Sequence, residues 1–274
     1  AFASVLFTDY EREQRKVLIE EDLDLIRNVP GVINAIDTNS FPLRQGGWSM
    51  ALALEPGNQT PESVSSAIYF VDENGVETFD VEVIDGKNFA PEQITWDDPE
   101  TNTWPAYGII TEALGEDLWP DEQGSYVGKT LYINDNDPVN VVGVIDKLQA
   151  PWQDWSGVEK SMLVPQQRAS SYVRYIVRTE PGMRDQLMPE IEALLAASNK
   201  DRIIRDVVTM DQTRKRAYVG DAALIKILSF VVVLLTIITT LGIIGLASFN
   251  VSRRTRQIGI RRALGATKPA IVRY

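Results

Sequence analysis

The sequence has no cysteine and no histidine among its 274 residues. Without cysteine no disulfide framework can staple the fold, and a thiol-free chain is compatible with an oxidising compartment without proving residence there. Without histidine there is no His-based triad, no His-containing zinc site and none of the commonest general base. Two further absences are local. Leu228–Phe249 contains no charged side chain, and Ser252–Tyr274 contains no acidic one. The uncharged run of 22 residues makes a helix about 33 Å long, enough to cross a bilayer's hydrocarbon core. The competing reading is a core helix of a large soluble domain, which rarely stays uncharged for so long. A transmembrane helix over residues 227–251 is the expectation.

What is present then orients that span. Seven basic residues follow it: Arg253, Arg254, Arg256, Arg261, Arg262, Lys268 and Arg273. The chain carries 27 basic and 38 acidic residues, so residues 1–251 hold 20 against 38, a net of −18. Basic residues beside a span stay in the cytoplasm. The tail is therefore expected on the cytoplasmic side of the membrane and the long acidic region on the outside. Anchoring at lipid headgroups accounts for part of these arginines. The acidic balance speaks against a nucleic-acid partner. Ala1–Thr8 is too short for a signal peptide and reads as the end of an upstream transmembrane segment.

The outside region reads as α+β. Residues 9–28 form a helical pattern in which Val17, Leu18, Leu25 and Ile26 can share a face, closed by Pro30-Gly31. Strand-like runs follow at Val32–Asp37, Ser49–Leu54 and Ala67–Asp72. The texture changes near Phe79. Five of six tryptophans fall between Trp96 and Trp155, where they fill a β-rich core or, less simply, line a binding surface. Lys129–Asn134 and Val139–Asp146 read as a hairpin joined by turn-forming residues. From Tyr172 a strand, a helix with Leu187, Ile191, Leu194 and Leu195 at helical spacing, and a second strand recur. The expected organisation is a split α/β subdomain, residues 9–85 and 150–212, with a β-rich insertion at 86–149. A stalk helix at 213–226 leads to the span, and 252–274 forms a cytoplasmic segment.

Two motifs mislead. Gly124–Thr130 looks like a phosphate loop but has three residues between its glycines instead of four, and it precedes a strand. Asn134–Asp137 invites a calcium reading but has Asn140 and Asp146 where that loop needs glycine and glutamate. No catalytic constellation, cofactor site or metal site is expected.

The segment Arg254-Thr-Arg-Gln-Ile-Gly-Ile-Arg-Arg-Ala-Leu-Gly-Ala266 resembles the loop after the second transmembrane helix in MacB/FtsX-like permeases of ABC transporters. Asp85–Phe89 is similar to that family's Gly-Arg-x-Phe turn, with Lys87 in place of arginine. Ile109–Leu114, Leu118–Pro120, Val127–Thr130 and Val141–Val144 follow the order of its periplasmic core domain, and Val177–Thr179 and Val208–Asp211 recur before the stalk. Gln257 stands where the family has an acidic residue. Only the second of four usual transmembrane helices is present, and no fused ATPase domain is visible.

The resemblance implies a permease subunit, not itself an enzyme, coupled to a cytoplasmic ABC ATPase that moves the periplasmic domain, either to export or extract a peptide, lipoprotein or small toxin or to drive periplasmic partners by mechanotransmission without moving a substrate through the membrane. Partners implied are a second permease copy or a related one, membrane lipid and a periplasmic adaptor. The expected ATPase-coupling residues are Arg254, Arg256, Ile258, Gly259, Ile260, Arg261, Arg262, Leu264 and Gly265. Gly242, Gly245 and Ser248 are a candidate stripe for transmembrane helix packing. A single-pass receptor or anchor with a ligand-sensing outer domain is the alternative.

Overall fold

A computed structural model describes residues 2–272, apart from 8, 59, 61, 62, 102 and 123. The chain divides into two compact units, Ala1–Ala217 and Tyr218–Tyr274.

The first unit begins with a correction. Phe2–Phe7, read from sequence as the end of a membrane helix, is a strand, β1. Ala3, Val5 and Phe7 turn into a core and Ser4 is buried as well, so the strand is covered on both faces. Such strands show the continuous apolar run that a span also shows. The chain continues through α1 (Arg12–Arg27), β2 (Val32–Asp37), β3 (Trp48–Leu52), β4 (Val64–Val71), α2 (Gly75–Phe79) and β5 (Val83–Gly86). Next come β6 (Thr95–Trp96), β7 (Tyr107–Thr111), α3 (Glu112–Leu118), β8 (Thr130–Ile133), β9 (Asp137–Ile145) and β10 (Ser161–Gln167). The unit closes with β11 (Tyr172–Thr179), α4 (Arg184–Ser198), β12 (Arg202–Val208) and α5 (Met210–Ala217).

Two sheets organise these elements. The smaller is antiparallel, in the order β12-β1-β11-β2. The larger is mixed, β3-β4-β10-β7-β9-β5, with β6 added beside β10 and β8 beside β9. The division therefore differs from the expected boundaries at 85 and 150. Strands β3, β4 and β10 belong to the larger sheet, so residues 48–167 supply that sheet and residues 2–37 and 172–208 supply the smaller one. The pairing of β10 between β4 and β7 fixes this.

Helices α1 and α4 cover one face of the small sheet. Phe7, Ile19, Leu23, Ile26, Tyr175, Leu187, Ile191 and Leu195 make its core. Of the four residues expected to share a face of α1, Ile26 is buried and Leu18 packs against this core, whereas Val17 and Leu25 are exposed, and the buried stripe is Ile19, Asp22, Leu23 and Ile26. The reason is Asp22, which is buried in that stripe. Its carboxylate meets the Arg202 guanidinium in a pair that is 1–2% exposed on both sides. It also accepts a 2.8 Å hydrogen bond from the Tyr175 hydroxyl. Burial and the adjacent Asp22 carboxylate push the Tyr175 phenol well above its ordinary pKa, so it remains a donor.

A second core lies on the other face of the small sheet, where Ile36 and Ile176 meet Tyr69, Val71, Ile109 and Leu163 of the larger one. A third fills the far side of the larger sheet, where α3 packs Leu114, Leu118 and Trp119 on Ile110, Val141 and Val164. Trp96, Trp104, Trp152 and Trp155 pack at the margins of these cores, while Trp48 is 42% exposed and packs edge-on against Phe70.

The chain crosses between the sheets twice, at 38–47 and at 168–171. Asn39 pins the first crossing: its side-chain amide donates to Ile68 O at 2.8 Å and accepts from Phe70 N–H at 3.0 Å. Gln167 Nε2 donates to Asp37 Oδ1 at 2.8 Å. Burial, aided by the Asp72 carboxylate, lifts the Asp37 pKa to about 7 despite that hydrogen bond. The folded state thus binds a proton at Asp37 that the unfolded chain has already released above about pH 4. Folding stability from this group is full below that pH and is lost as pH rises through 7. Asp37→Asn should therefore stabilise the fold at pH 8 by about 1–3 kcal/mol and have much less effect at pH 4. Chemical denaturation at the two pH values checks this.

Candidate functional site

The second unit is built on α6 (Val219–Ala263), one unbroken helix of 45 residues, about 68 Å long. The expected stalk does not run continuously into it, because α5 ends at Ala217 and α6 starts after Tyr218. Every residue of the uncharged stretch is exposed, with Phe230 and Leu246 near 70%. No charged group interrupts 22 successive residues, and the window is apolar enough to cross a membrane. Polar side chains inside it satisfy themselves. The hydroxyls of Thr236, Thr239 and Thr240 donate to the carbonyls of Val232, Leu235 and Thr236 at 2.7–2.8 Å. Such back-bonding suits a medium without water. Gly242, Gly245 and Ser248 lie on this stretch, and a Cβ built on either glycine would meet nothing within 4 Å.

The basic residues continue on the same helix. It stops at a defined cap. Gly265 takes φ +94°, its N–H donates to Arg262 O and Ala266 N–H to Arg261 O, both at 3.0 Å. This is the Schellman arrangement, in which a left-handed glycine satisfies the last carbonyls. After the cap comes α7 (Lys268–Val272). A cleft of about 400 Å³ lies between the helices, lined by Arg254, Gln257, Ile258, Arg261 and Ile271 among others.

The structure therefore sorts the expected coupling residues onto two sides. Arg254, Ile258 and Arg261 recur at spacings of four and three and share the cleft. Arg256, Gly259 and Ile260 lie round the helix from them, and Ile260 is more than half exposed. Leu264, the terminal residue before the turn, is 83% exposed. Arg262 accepts the Gly265 N–H through its carbonyl. Sequence reasoning missed Ile271, whose role depends on the reversal at Gly265.

The phosphate-loop look-alike is occupied by the protein itself. Lys129 pairs with Glu122 and lies 5.0 Å from the Trp119 ring centroid. Asn134–Asn136 form the turn between β8 and β9, with Asn134 and Asp135 in the left-handed region.

An α+β domain followed by a bilayer-length apolar helix and a basic exit defines a membrane-anchored protein with a large extramembrane domain. Residues 4–194 match the MacB-like periplasmic core domain and residues 229–274 match the FtsX-like permease C-terminal domain. The chain belongs to the MacB/FtsX-like permease family of ABC transporters, whose permeases are transport components and not catalysts. The family and the long apolar helix together indicate an inner-membrane protein.

Among curated relatives, the macrolide export ATP-binding/permease protein MacB of Shewanella sp. (strain W3-18-1) is 22% identical over 97% of this chain and 39% of its own length. MacB of Chromobacterium violaceum is 28% identical over 52% of this chain and 23% of its own. The chain thus spans well under half of these relatives. Among solved structures, the periplasmic region of MacB from Actinobacillus actinomycetemcomitans is 14% identical, covers 78% of this chain and 92% of its own, and gives a TM-score of 0.46. The extracellular domain of the transporter YknZ from Gram-positive bacteria is 18% identical, covers 75% and 100%, and gives 0.45.

Proposed function

We propose that the chain is the membrane part through which a cytoplasmic ABC ATPase moves an extracytoplasmic domain, for export or extraction of a peptide, lipoprotein or small toxin. The observation that carries this reading is the continuity of α6. One helix contains the uncharged stretch and the basic segment Arg254–Arg262, so displacement at one end is displacement at the other. In this reading Ser252 onward is cytoplasmic, as the seven-to-zero basic excess requires. Protease added from the periplasmic side should leave the tail intact, and its cleavage there would reverse the topology.

The docking element is Arg254–Ala266. Ile258, Ile260 and Leu264 are apolar residues just past the span, and they must enter the lipid interface or a protein surface. A lipid-bound amphipathic helix gains nothing from Gly259, which lowers helix propensity by about 1 kcal/mol. A close protein contact does gain from it. Arg261 and Arg262 then face acidic groups of the ATPase. A second permease copy, or a related one, packs on the span along Gly242, Gly245 and Ser248, and a periplasmic adaptor engages the outer domain. Gly259→Val and Arg261→Glu in the full-length permease should each abolish ATPase association and transport while leaving membrane insertion unchanged. Pull-down and transport at parental levels in both variants would reduce the segment to an anchor.

A further inference from the structure

Both crossings between the two sheets line one cleft of about 200 Å³, which takes one small molecule and excludes a drug-sized one. Asp37 ends β2 and Asn39 lies in the first crossing, and Arg168, Tyr172 and Arg174 come from the second crossing and the strand it feeds. The cleft is cationic in a strongly acidic protein. Arg174 has no acidic partner among the described residues, although residues 1–251 hold 38 carboxylates. Its Nη1 donates to Asn39 O at 2.6 Å, and its guanidinium lies 4.5 Å from the Tyr172 ring centroid. Its Nε is buried with no hydrogen-bond partner among the described residues. Burial and the nearby Arg44 lower its pKa, the mark of a desolvated cation beside another cation. Arg168 is held 4.3 Å from the Trp48 centroid and reaches a carboxylate, Asp97, only at 3.8 Å.

A half-buried guanidinium without a counter-ion is unfavourable until an anion arrives. We propose that this cleft is a binding site for a small oxyanion, a carboxylate or a phosphate, held by the guanidinium groups of Arg174 and Arg168. Stacking on Tyr172 and Trp48 fixes both forks, and a planar fork suits bidentate contact with either anion. The site goes beyond transporter membership and stands without it.

Asp37 lines the same cleft. The groups that face it are Gln167 from β10, Asp72 after β4, Tyr175 of β11 and the Arg168 backbone N–H. Asp72 is itself paired with Arg27 of α1. When Asp37 ionises, its charge repels the anion, so affinity falls between pH 6 and pH 8.

The test is calorimetric titration of the full chain in detergent with inorganic phosphate and, separately, with acetylglycine, whose amide is the control. Saturable binding of either anion, and none of the amide, is expected; which one binds tells phosphate from carboxylate. Arg174→Gln and Arg168→Gln should each weaken binding by about tenfold, the range of one charge-assisted contact. Acetylglycine stays ionised from pH 6 to 8, so its affinity should drop several-fold over that interval in the parent and stay level in Asp37→Asn. No saturable binding of either anion, or parental affinity in both arginine variants, overturns the site. Equal affinity at the two pH values in the parent overturns the part assigned to Asp37.

Discussion

Asp22→Ala should destabilise the outer domain by about 3–5 kcal/mol, the cost of stripping one partner from a buried ion pair. The Arg202 guanidinium stays behind with 1% exposure, and the Tyr175 hydroxyl loses its acceptor. Arg202 keeps one other bond of ordinary length, from Nε to Leu195 O at 2.9 Å, and its contact with Ser198. Neither neutralises its charge. The group ties α1, β11, α4 and β12 together, so the loss falls on the whole small sheet. The double change Asp22→Leu with Arg202→Met should recover most of the stability, because apolar replacement of a whole buried pair is often neutral or favourable. Chemical denaturation followed by tryptophan fluorescence measures both. A loss below about 1 kcal/mol for Asp22→Ala would mean the charge is solvated in solution.

Gly86→Val should be comparably damaging, by about 3–5 kcal/mol, through its left-handed φ and the close approach of the neighbouring strand and Val127. Gly86 ends β5 with φ +75° and pairs with Gly143 of β9. A Cβ there would lie 2.4 Å from Val142 O and 2.9 Å from Gly143 Cα. Nearby, Lys87 N–H donates to Val142 O at 3.0 Å, and Phe89 enters the core two residues later. The strands must part to admit a side chain. Gly128 is the control. It has φ +86° but open space around it, so Gly128→Ala should cost only the left-handed penalty, about 1 kcal/mol. Equal losses at the two positions would show that φ, and not the close approach of strands, sets the requirement.

The sequence was most readable where local signals and tertiary environment agree. The apolar, β-branched runs Val32–Asp37 and Tyr172–Thr179 yield β2 and β11, and the hydrophobic spacing of Leu187, Ile191 and Leu195 yields the buried face of α4. It was misleading where long-range pairing decides. β1 is an inner strand, paired on both edges by β11 and β12 and covered on both faces, a placement held by residues 172–208 and invisible in residues 2–7. β10 carries Pro165, which argues against a central strand. It is tolerated because β7 pairs only with Met162 and Leu163, so that ladder has ended before the proline. The face of α1 was placed correctly at Leu18 and Ile26 but not at Val17 and Leu25, because hydropathy places a carboxylate outside, whereas Arg202, 180 residues away, brings Asp22 in. The cleft at the crossings had no linear signal, since Asp37–Asn39 and Arg168–Arg174 lie more than a hundred positions apart.

The unbroken course of α6 fixes an angle as well as a distance. Each residue of an α-helix advances about 1.5 Å and turns about 100°. The face bearing Arg254, Ile258 and Arg261 therefore holds a set azimuth relative to Gly242, Gly245 and Ser248. One residue inserted between Phe249 and Arg253 would swing that face by about 100° while lengthening the helix hardly at all. Seven inserted residues would return it to within about 20° despite adding roughly 10 Å. The connecting turn is thus constrained in phase far more tightly than in identity, like the keyway of a shaft.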